Sequence, residues 1–493
     1  MDTMLKRIEN SFFGEPGKYL AAIFLAVLFL LGLSHWISSF RMGNIPMSIA
    51  DWPKEKQYCM VLKEAITEKK IPYFISEPVQ QTDMFLGLPE TMVSPQIVLL
   101  KWLTPGEFEC FNMALFYTLG FAGCLLIRRR FRLNLLAFTA LFLLFNFNGY
   151  TVSRMGVGHT QWFSVFLLPC FVLLVFDLET GKNGLKTALQ LSLLFFFMLL
   201  QGGFHVYVWC VFFLLVYMLT DFKKWKNILL ALGISAALSA FRLLPAIVAF
   251  AGKNNAGSKG YPSLITLLSA MMIPRDVNFQ LYQGAFGWFE YNLFTDITGF
   301  AFIALFCILP GILWARAKNT ESGPALSKIA PKGLYLTMLV LLFFTFDRFY
   351  GVFSFVPFFN SQSAALRMVI IPFVFAVVLA ASRFSDFTKS VKNGAAKALF
   401  SAGVLLMAGS LIEHAELWKI KRLETLMPPS ALLNLSLSIV ERDAPVYKTA
   451  VLSGYLISLV ALLIVVILLI IQGTKITRRA QGNNAAQPVC PLP

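Results

Sequence analysis

Long apolar segments recur along the whole chain and are separated by polar stretches that carry most of the charged residues. A bilayer core of about 30 Å is crossed by roughly 20 apolar residues in a helix, and in lipid the backbone must satisfy its own hydrogen bonds. Because the segments are continuous rather than alternating, they predict helices and argue against a β-barrel. The pattern predicts about twelve transmembrane helices, at 19–40, 110–127, 133–150, 161–176, 187–201, 204–220, 228–250, 297–314, 334–346, 367–381, 398–413 and 449–472.

Composition supports an all-α membrane protein without a separate soluble domain. Hydrophobic residues make up 57% of the 493 residues and charged residues 14%, with a mean hydropathy of +0.69, whereas soluble domains hold roughly 25% charged residues. We expect residues 1–480 to form one transmembrane domain and residues 481–493 a short polar cytoplasmic tail. The segments 187–201, 334–346 and 367–381 are short, and we leave open whether they are tilted, interfacial or re-entrant.

The basic residues predict the orientation of the chain. If the N-terminus is cytoplasmic, the inner segments hold 23 basic and eight acidic residues, so they carry nearly all of the formal charge of +16. An excess of Lys and Arg on the cytoplasmic side is the usual rule for membrane proteins. The charge therefore predicts a multi-pass protein of the bacterial inner membrane with both termini in the cytoplasm. It also accounts for the pI of 9.5 without a nucleic-acid partner.

This orientation places three long loops outside, at 41–109, 251–296 and 413–448. The first is expected to carry amphipathic helices that lie in the membrane interface, such as 57–70. Asp51 lies a short way beyond the first helix and is followed by Trp52, so it is well placed to meet a lipid-linked substrate. A solvated loop carboxylate beside an ordinary interfacial Trp is the plainer alternative. The seven cysteines form neither CxxC pairs nor a Cys/His cluster, so no zinc site or disulfide framework is predicted.

The order of several short motifs resembles that of the GT-C superfamily of membrane glycosyltransferases, which use polyprenyl-phosphate-linked sugars, and within it the YfhO-like bacterial proteins. The resemblance covers roughly residues 15–385. The chain departs from the family pattern because Arg367 is the only arginine of its segment and no large C-terminal soluble domain follows. The motifs are Asp51 with Gln57, the Lys-Ile-Pro turn at 70–72, Gly87-Leu88-Pro89, the segment 145–159, Leu168-Pro169, the segment 201–205, the segment 242–245, and the segment from Pro357 to Arg367.

The resemblance implies transfer of a sugar from a polyprenyl-phosphate donor to an extracytoplasmic glycan, polymer, lipid or protein. In such a reaction a carboxylate takes the proton of the acceptor hydroxyl, and a fixed cation stabilises the leaving phosphate. Asp51 is the candidate base, and a single base opposite the leaving group implies inversion. The candidate lipid-phosphate ligands are Arg367, Arg348, Arg242, His159, Arg154 and His205, and the candidate acceptor contacts are Asp83 and Glu290.

Two further questions stay open at this point. No metal ligands are assigned and no cofactor is certain, although a divalent metal bound through Asp83 or another distant ligand is possible. The main alternative to an enzyme is a twelve-helix transporter or lipid flippase. Transporters commonly show internal repeats and broken helices with polar residues near the middle of the membrane, whereas the charged residues here gather at the outer boundary.

Overall fold

The computed structural model describes residues 18–181, 184–252, 259–316, 332–350 and 364–485. Most of these residues are helical, as predicted. The α-helices are α1 (Lys18–Ser39), α2 (Trp52–Glu68), α3 (Pro105–Phe131), α4 (Leu135–Asn146), α5 (Gly149–Gly156), α6 (Leu168–Thr180), α7 (Gly184–Leu200), α8 (Phe204–Thr220), α9 (Trp225–Leu238), α10 (Ala240–Phe250), α11 (Leu264–Met272), α12 (Trp288–Tyr291), α13 (Asp296–Ile303), α14 (Leu309–Arg316), α15 (Lys332–Phe343), α16 (Asp347–Tyr350), α17 (Ile370–Ser390), α18 (Gly394–Leu417), α19 (Ile420–Leu426) and α20 (Pro445–Ala485).

Local sequence signals fix several of these helix boundaries. α3 begins with a capping box, because the Thr104 hydroxyl accepts from the backbone N–H of Glu107 while the Glu107 carboxylate accepts from the backbone N–H of Thr104. Asn134 and Asn148 cap α4 and α5 in the same way, each through its side-chain oxygen. These caps satisfy backbone N–H groups that would otherwise be unpaired in a weakly polar environment.

Eight helical stretches of the described residues are long and apolar enough to cross a membrane. The first, seventh and eighth are largely exposed along their apolar segments, which fits helices at the periphery that face lipid, whereas the third and sixth are almost fully buried. The protein is therefore a multi-pass membrane protein. The stretches are Tyr19–Ser39, Pro105–Phe131, Leu135–Gly156, Thr160–Glu179, Trp288–Ile312, Ala365–Ser390, Gly394–Leu417 and Pro445–Gln472.

The predicted number of twelve spans is not confirmed by the structure. Each of the twelve predicted segments contains a helix, but four are too short or are interrupted. A turn at Ser239 divides the predicted helix 228–250 into α9 and α10. Phe204–Thr220 and Phe222–Leu238 are long enough to cross a membrane only when taken together, and they are bent by 120° relative to each other. Gly184–Leu200 and Gly333–Phe343 are shorter apolar helices.

Three contacts join segments that the charge pattern assigns to the same side of the membrane. Within the basic group, Arg130 pairs with Asp177 at 3.3 Å, and the Lys389 ammonium donates to the carbonyl of Arg132 at 2.7 Å. Within the other group, the backbone N–H of Leu437 donates to the Gln57 side chain at 3.1 Å. Each of these contacts therefore joins two segments of one predicted group.

The loops at 41–109 and 413–448 form a small folded cap, which the sequence did not predict. Strands β1 (Phe74–Val79), β2 (Thr82–Met84) and β3 (Ile439–Val440) pair antiparallel in the order β2–β1–β3. The expected amphipathic helix is present as α2, which buries its apolar side against this cap rather than leaving it free for the interface. A second apolar core, separate from that of the bundle, includes Tyr58, Leu62, Phe74, Phe85, Phe108 and Tyr447.

Candidate active site

Asp51 lies directly before the first residue of α2 and is held by the loop that follows α5. The backbone N–H of Asp51 donates to the carbonyl of Val157 at 3.1 Å, and the Trp52 indole donates to the carbonyl of Gly156 at 3.0 Å. Gly158 has a φ of +88°, and a Cβ there would lie 2.9 Å from the backbone nitrogen of Trp52. Glycine at this position therefore lets the two loops approach closely.

The same loop places His159 beside Asp51. Nε2 of His159 lies 3.2 Å from Oδ2 of Asp51, and Nδ1 of His159 is buried without a hydrogen-bond partner in the described part of the chain. Partial burial would raise the pKa of the Asp51 carboxyl, but the charge of Lys54 and the contacts with His159 outweigh it and hold that pKa well below its ordinary value. Asp51 is therefore ionised at neutral pH.

Lys54 lies at the centre of a group of carboxylates, which we call the carboxylate cluster (Asp51, Lys54, Glu55 and Glu90). Nζ of Lys54 lies 2.9 Å from Glu90, 3.3 Å from Asp51 and 3.8 Å from Glu55. Burial would lower the pKa of the Lys54 ammonium, but Glu90, Asp51 and Glu55 together raise it well above its ordinary value. Lys54 is therefore a buried cation whose charge these carboxylates stabilise.

Glu290 joins two arginines, Arg154 and Arg367, which we call the arginine pair. Nη2 of Arg154 donates to the Glu290 backbone carbonyl at 2.8 Å and to its carboxylate at 3.2 Å. Arg367 forms a two-pronged contact with the same carboxylate, with Nε donating at 2.7 Å and Nη2 donating to the other oxygen. These residues come from α5, α12 and the 3-10 turn Ala365–Val369 that precedes α17.

The carboxylate cluster and the arginine pair adjoin each other. The charge of Asp51 acts on Arg367, and the His159 ring packs edge-on against Phe289, the neighbour of Glu290, with centroids 5.5 Å apart. The Asp51 side chain is 34% exposed, whereas Arg154 is fully buried. Asp51 therefore lies at the entrance of a polar site whose arginines lie deeper.

Five of the nine predicted site residues thus come together: Asp51, His159, Arg154, Glu290 and Arg367. The other four lie elsewhere. Arg242 is buried, and its guanidinium donates to the backbone carbonyls of Leu86, Leu88 and Thr91, which makes it an anchor of that loop. Asp83 pairs with Arg442 beside the small sheet.

His205 and Arg348 also lie apart from the central contacts. The His205 ring stacks on Trp162 and Trp209, with centroids 5.7 Å and 6.0 Å away, and Trp162 in turn lies 5.4 Å from the Arg367 guanidinium. His205 therefore supports the wall behind Arg367. Arg348 is exposed on the short helix α16. The motif residues at 357–360 lie outside the described residues.

Sequence reasoning missed Lys54, Glu55 and Glu90. Lys54 and Glu55 follow Asp51 at spacings of three and four residues, which places all three on one face at the start of a helix. The sequence therefore contained a signal that these residues lie close together. Glu90 directly follows the Gly87-Leu88-Pro89 motif, but its contact with Lys54 depends on tertiary structure. Gln80 and Gln161 also donate to Glu90, at 2.7 Å and 3.2 Å.

No protein-family model matches this chain, and no curated protein matches it either.

Proposed function

We propose that this protein is a membrane glycosyltransferase that moves a sugar from a polyprenyl-phosphate donor to an acceptor outside the cytoplasm. The observation that carries the proposal is the juxtaposition of an ionised, partly exposed Asp51 with the buried arginine pair. A base at the entrance and cations in the interior are the two groups that transfer from a lipid phosphate requires.

The arginine pair supports binding of the donor phosphate. Arg154 and Arg367 share one carboxylate, so together they hold one more positive charge than Glu290 neutralises. Both arginines contact Glu290, and a phosphodiester would supply a further negative charge at this point. A guanidinium fork matches two phosphate oxygens, and the leaving polyprenyl phosphate gains a second negative charge that the arginines would stabilise.

Asp51 supports the proton transfer. In the proposed step the acceptor hydroxyl oxygen forms a bond to the anomeric carbon, the bond from that carbon to the phosphate oxygen breaks, and its electron pair stays on the phosphate. Asp51 accepts the hydroxyl proton. Because one carboxylate acts opposite the leaving group, the product has inverted configuration. His159 and Lys54 hold the carboxylate ionised and oriented before the acceptor arrives.

We also propose that the site faces outward from the bacterial inner membrane, with both termini in the cytoplasm. The excess of basic residues in the opposite loops supports this orientation. The donor's lipid chain would then stay in the bilayer while its phosphate meets the arginine pair. The acceptor would reach Asp51 from the aqueous side, where this residue is exposed.

The test uses full-length protein in lipid nanodiscs with a panel of polyprenyl-phosphate hexoses and pentoses that carry a labelled sugar, and with cell-envelope extract as the acceptor source. Asp51→Asn should lower transfer at least about 100-fold, the low end of what a general base contributes. Binding of polyprenyl phosphate should stay close to wild type. Arg367→Lys should weaken that binding, because an ammonium lacks the fork of the guanidinium.

Asp83→Asn is the matched comparison, since Asp83 is another aspartate of the same loop and pairs with Arg442 instead. We expect near-normal transfer from it. Loss of transfer in Asp83→Asn together with full transfer in Asp51→Asn would show that the assignment of Asp51 as the base is wrong. If all variants transfer like wild type, or if no donor of the panel reacts, the enzyme proposal fails and movement of lipid or solute across the membrane becomes the better hypothesis.

A further inference from the structure

Lys54 occupies the point at which the carboxylates of the candidate site converge. Asp51 approaches it from directly before its own helix, Glu55 from the first turn of that helix, and Glu90 from the loop before α3. Lys54, Glu55 and Glu90 are each less than a tenth exposed. An ion that neutralises three converging carboxyl groups in a buried site is normally a metal cation or a protein cation, and here it is a protein cation.

The arrangement does not fit a divalent metal ion. Mg²⁺ is held by oxygen ligands at about 2.0–2.1 Å, whereas the carboxylate oxygens here surround the ammonium nitrogen at 2.9–3.8 Å. A metal ion would have to displace Lys54, which carries the same sign of charge and is tied to α2. Within the described residues, no group of three or more His, Cys, Asp and Glu side chains is arranged to hold a metal.

We propose that the Lys54 ammonium takes the place of a divalent cation at the Asp51 site, so that the site works without a bound metal. Lys54 is a positioning residue: it orients the Asp51 carboxylate and offsets the charge of Glu90, but it touches no reacting atom. The inference rests on the proposed function in taking Asp51 as the site. Metal binding, however, can be measured without any transfer reaction.

The experiment titrates Mn²⁺ into full-length detergent-purified protein and follows free Mn²⁺ by electron paramagnetic resonance. Wild type should bind no Mn²⁺ at the Asp51 site, so wild type and Asp51→Asn should give the same Mn²⁺ titration. Lys54→Ala should bind one Mn²⁺ per chain and gain thermal stability from it, because a ligand of the folded state stabilises that state. Removing the ammonium leaves room for the oxygens to move inward by about 1–2 Å to the distances that metals require.

Three further variants serve as controls. Lys54→Ala combined with Glu90→Gln should bind Mn²⁺ at least about tenfold more weakly, since one ligand has lost its charge. Lys54→Arg keeps a cation at this point and should bind none. Lys56→Ala changes an exposed lysine two residues away and should behave like wild type.

Binding of Mn²⁺ to wild type that Asp51→Asn abolishes would overturn the inference, and so would a folded Lys54→Ala variant that takes up no Mn²⁺. If Lys54→Ala does not fold, the comparison of wild type with Asp51→Asn still decides. A metal bound by wild type would leave the transferase proposal intact. A failure to find any transfer would leave the metal result unchanged.

Discussion

The Glu55 side chain is a buried acid whose pKa the fold shifts. The Thr160 hydroxyl donates to one carboxyl oxygen at 2.7 Å, and the other oxygen is buried without a hydrogen-bond partner in the described part of the chain. Burial raises the pKa of Glu55 well above its ordinary value, although Lys54 opposes the shift. Glu55 therefore keeps its proton to a higher pH than an exposed glutamate does.

A raised pKa makes stability depend on pH in a defined direction. The contribution of Glu55 is fully present below the pKa of an unfolded glutamate, about 4.3, and is lost as pH rises through the folded-state pKa. Glu55→Gln mimics the protonated acid, so we expect its unfolding temperature to exceed that of wild type by about 2 °C or more at pH 8, with little difference at pH 5. Tryptophan fluorescence during heating would measure this.

Glu64→Gln on the same helix is the control, because Glu64 is half-buried and lies outside the carboxylate cluster. It should show no such dependence on pH. A Glu55→Gln variant that is less stable than wild type at pH 8 would mean that Glu55 is ionised in the folded protein.

Single residues were predictable where polarity alone made them conspicuous. Asp51, His159 and Arg367 are polar residues near the ends of apolar segments, and the structure brings them together. Lys54 and Glu90 were not predictable as a pair, because charged residues in a long loop are normally solvated. Their burial depends on a loop fold that hydrophobic periodicity does not encode.

At the scale of elements, α10 determines the shape of the loop that carries Glu90. Arg242 of α10 donates to three backbone carbonyls between Leu86 and Thr91. Gly87 lies so close to α10 that a Cβ there would be 2.6 Å from Cβ of Ala249. The sequence interpretation of Arg242 as a phosphate ligand thus competes with a role as the anchor of this loop.

The two roles predict different effects of Arg242→Lys. A lysine can replace only some of the three hydrogen bonds that Arg242 donates to the loop carbonyls, and a hydrogen bond from a charged group contributes about 1.5–3 kcal/mol to stability. We therefore expect the backbone amides of residues 86–91 to exchange with deuterium at least about tenfold faster, while the affinity for polyprenyl phosphate changes little. Hydrogen exchange by mass spectrometry and a lipid-binding assay would measure both.

Arg367→Lys is the counterpart, with weaker phosphate binding and unchanged exchange in this loop. Unchanged exchange together with weak phosphate binding in Arg242→Lys would restore Arg242 to the phosphate site.

Most helices were predictable because a bilayer imposes a minimum length of apolar sequence. The break at Ser239 was not, since the apolar pattern runs through it without glycine or proline at the break. The three-stranded sheet was also missed. Its strands are two to six residues long, and β3 lies more than 350 residues after β1, the strand with which it pairs. No local sequence pattern therefore predicts this pairing.

At the scale of the whole molecule, the basic loops and the candidate site lie toward opposite ends of helix α3. Arg130 at the C-terminal end of α3 pairs with Asp177, whereas Glu109 near the N-terminal end of α3 accepts from Cys59 of α2, the helix that carries Lys54. The membrane side of each end follows from the charge rule rather than from these contacts. Cys59 lies in the first loop but is buried, with its thiol donating to Glu109 at 3.3 Å, so it is a poor reporter of sidedness.

Introduced cysteines at exposed lysines would report the orientation directly. Lys56 lies on α2 beside the candidate site, and Lys392 lies in the loop between α17 and α18 at the basic end, and both side chains are exposed. We expect Lys56→Cys to react with a membrane-impermeant maleimide in intact cells well above the wild-type background, and Lys392→Cys to react only after the membrane is permeabilised. The reason is that the charge rule assigns the basic loops to the cytoplasm. The permeabilised sample is the control for access, since both cysteines should label there.

Labelling of Lys392→Cys but not Lys56→Cys in intact cells would invert the orientation and place Asp51 in the cytoplasm. The acceptor would then have to be a cytoplasmic molecule, and the donor a lipid whose sugar faces inward.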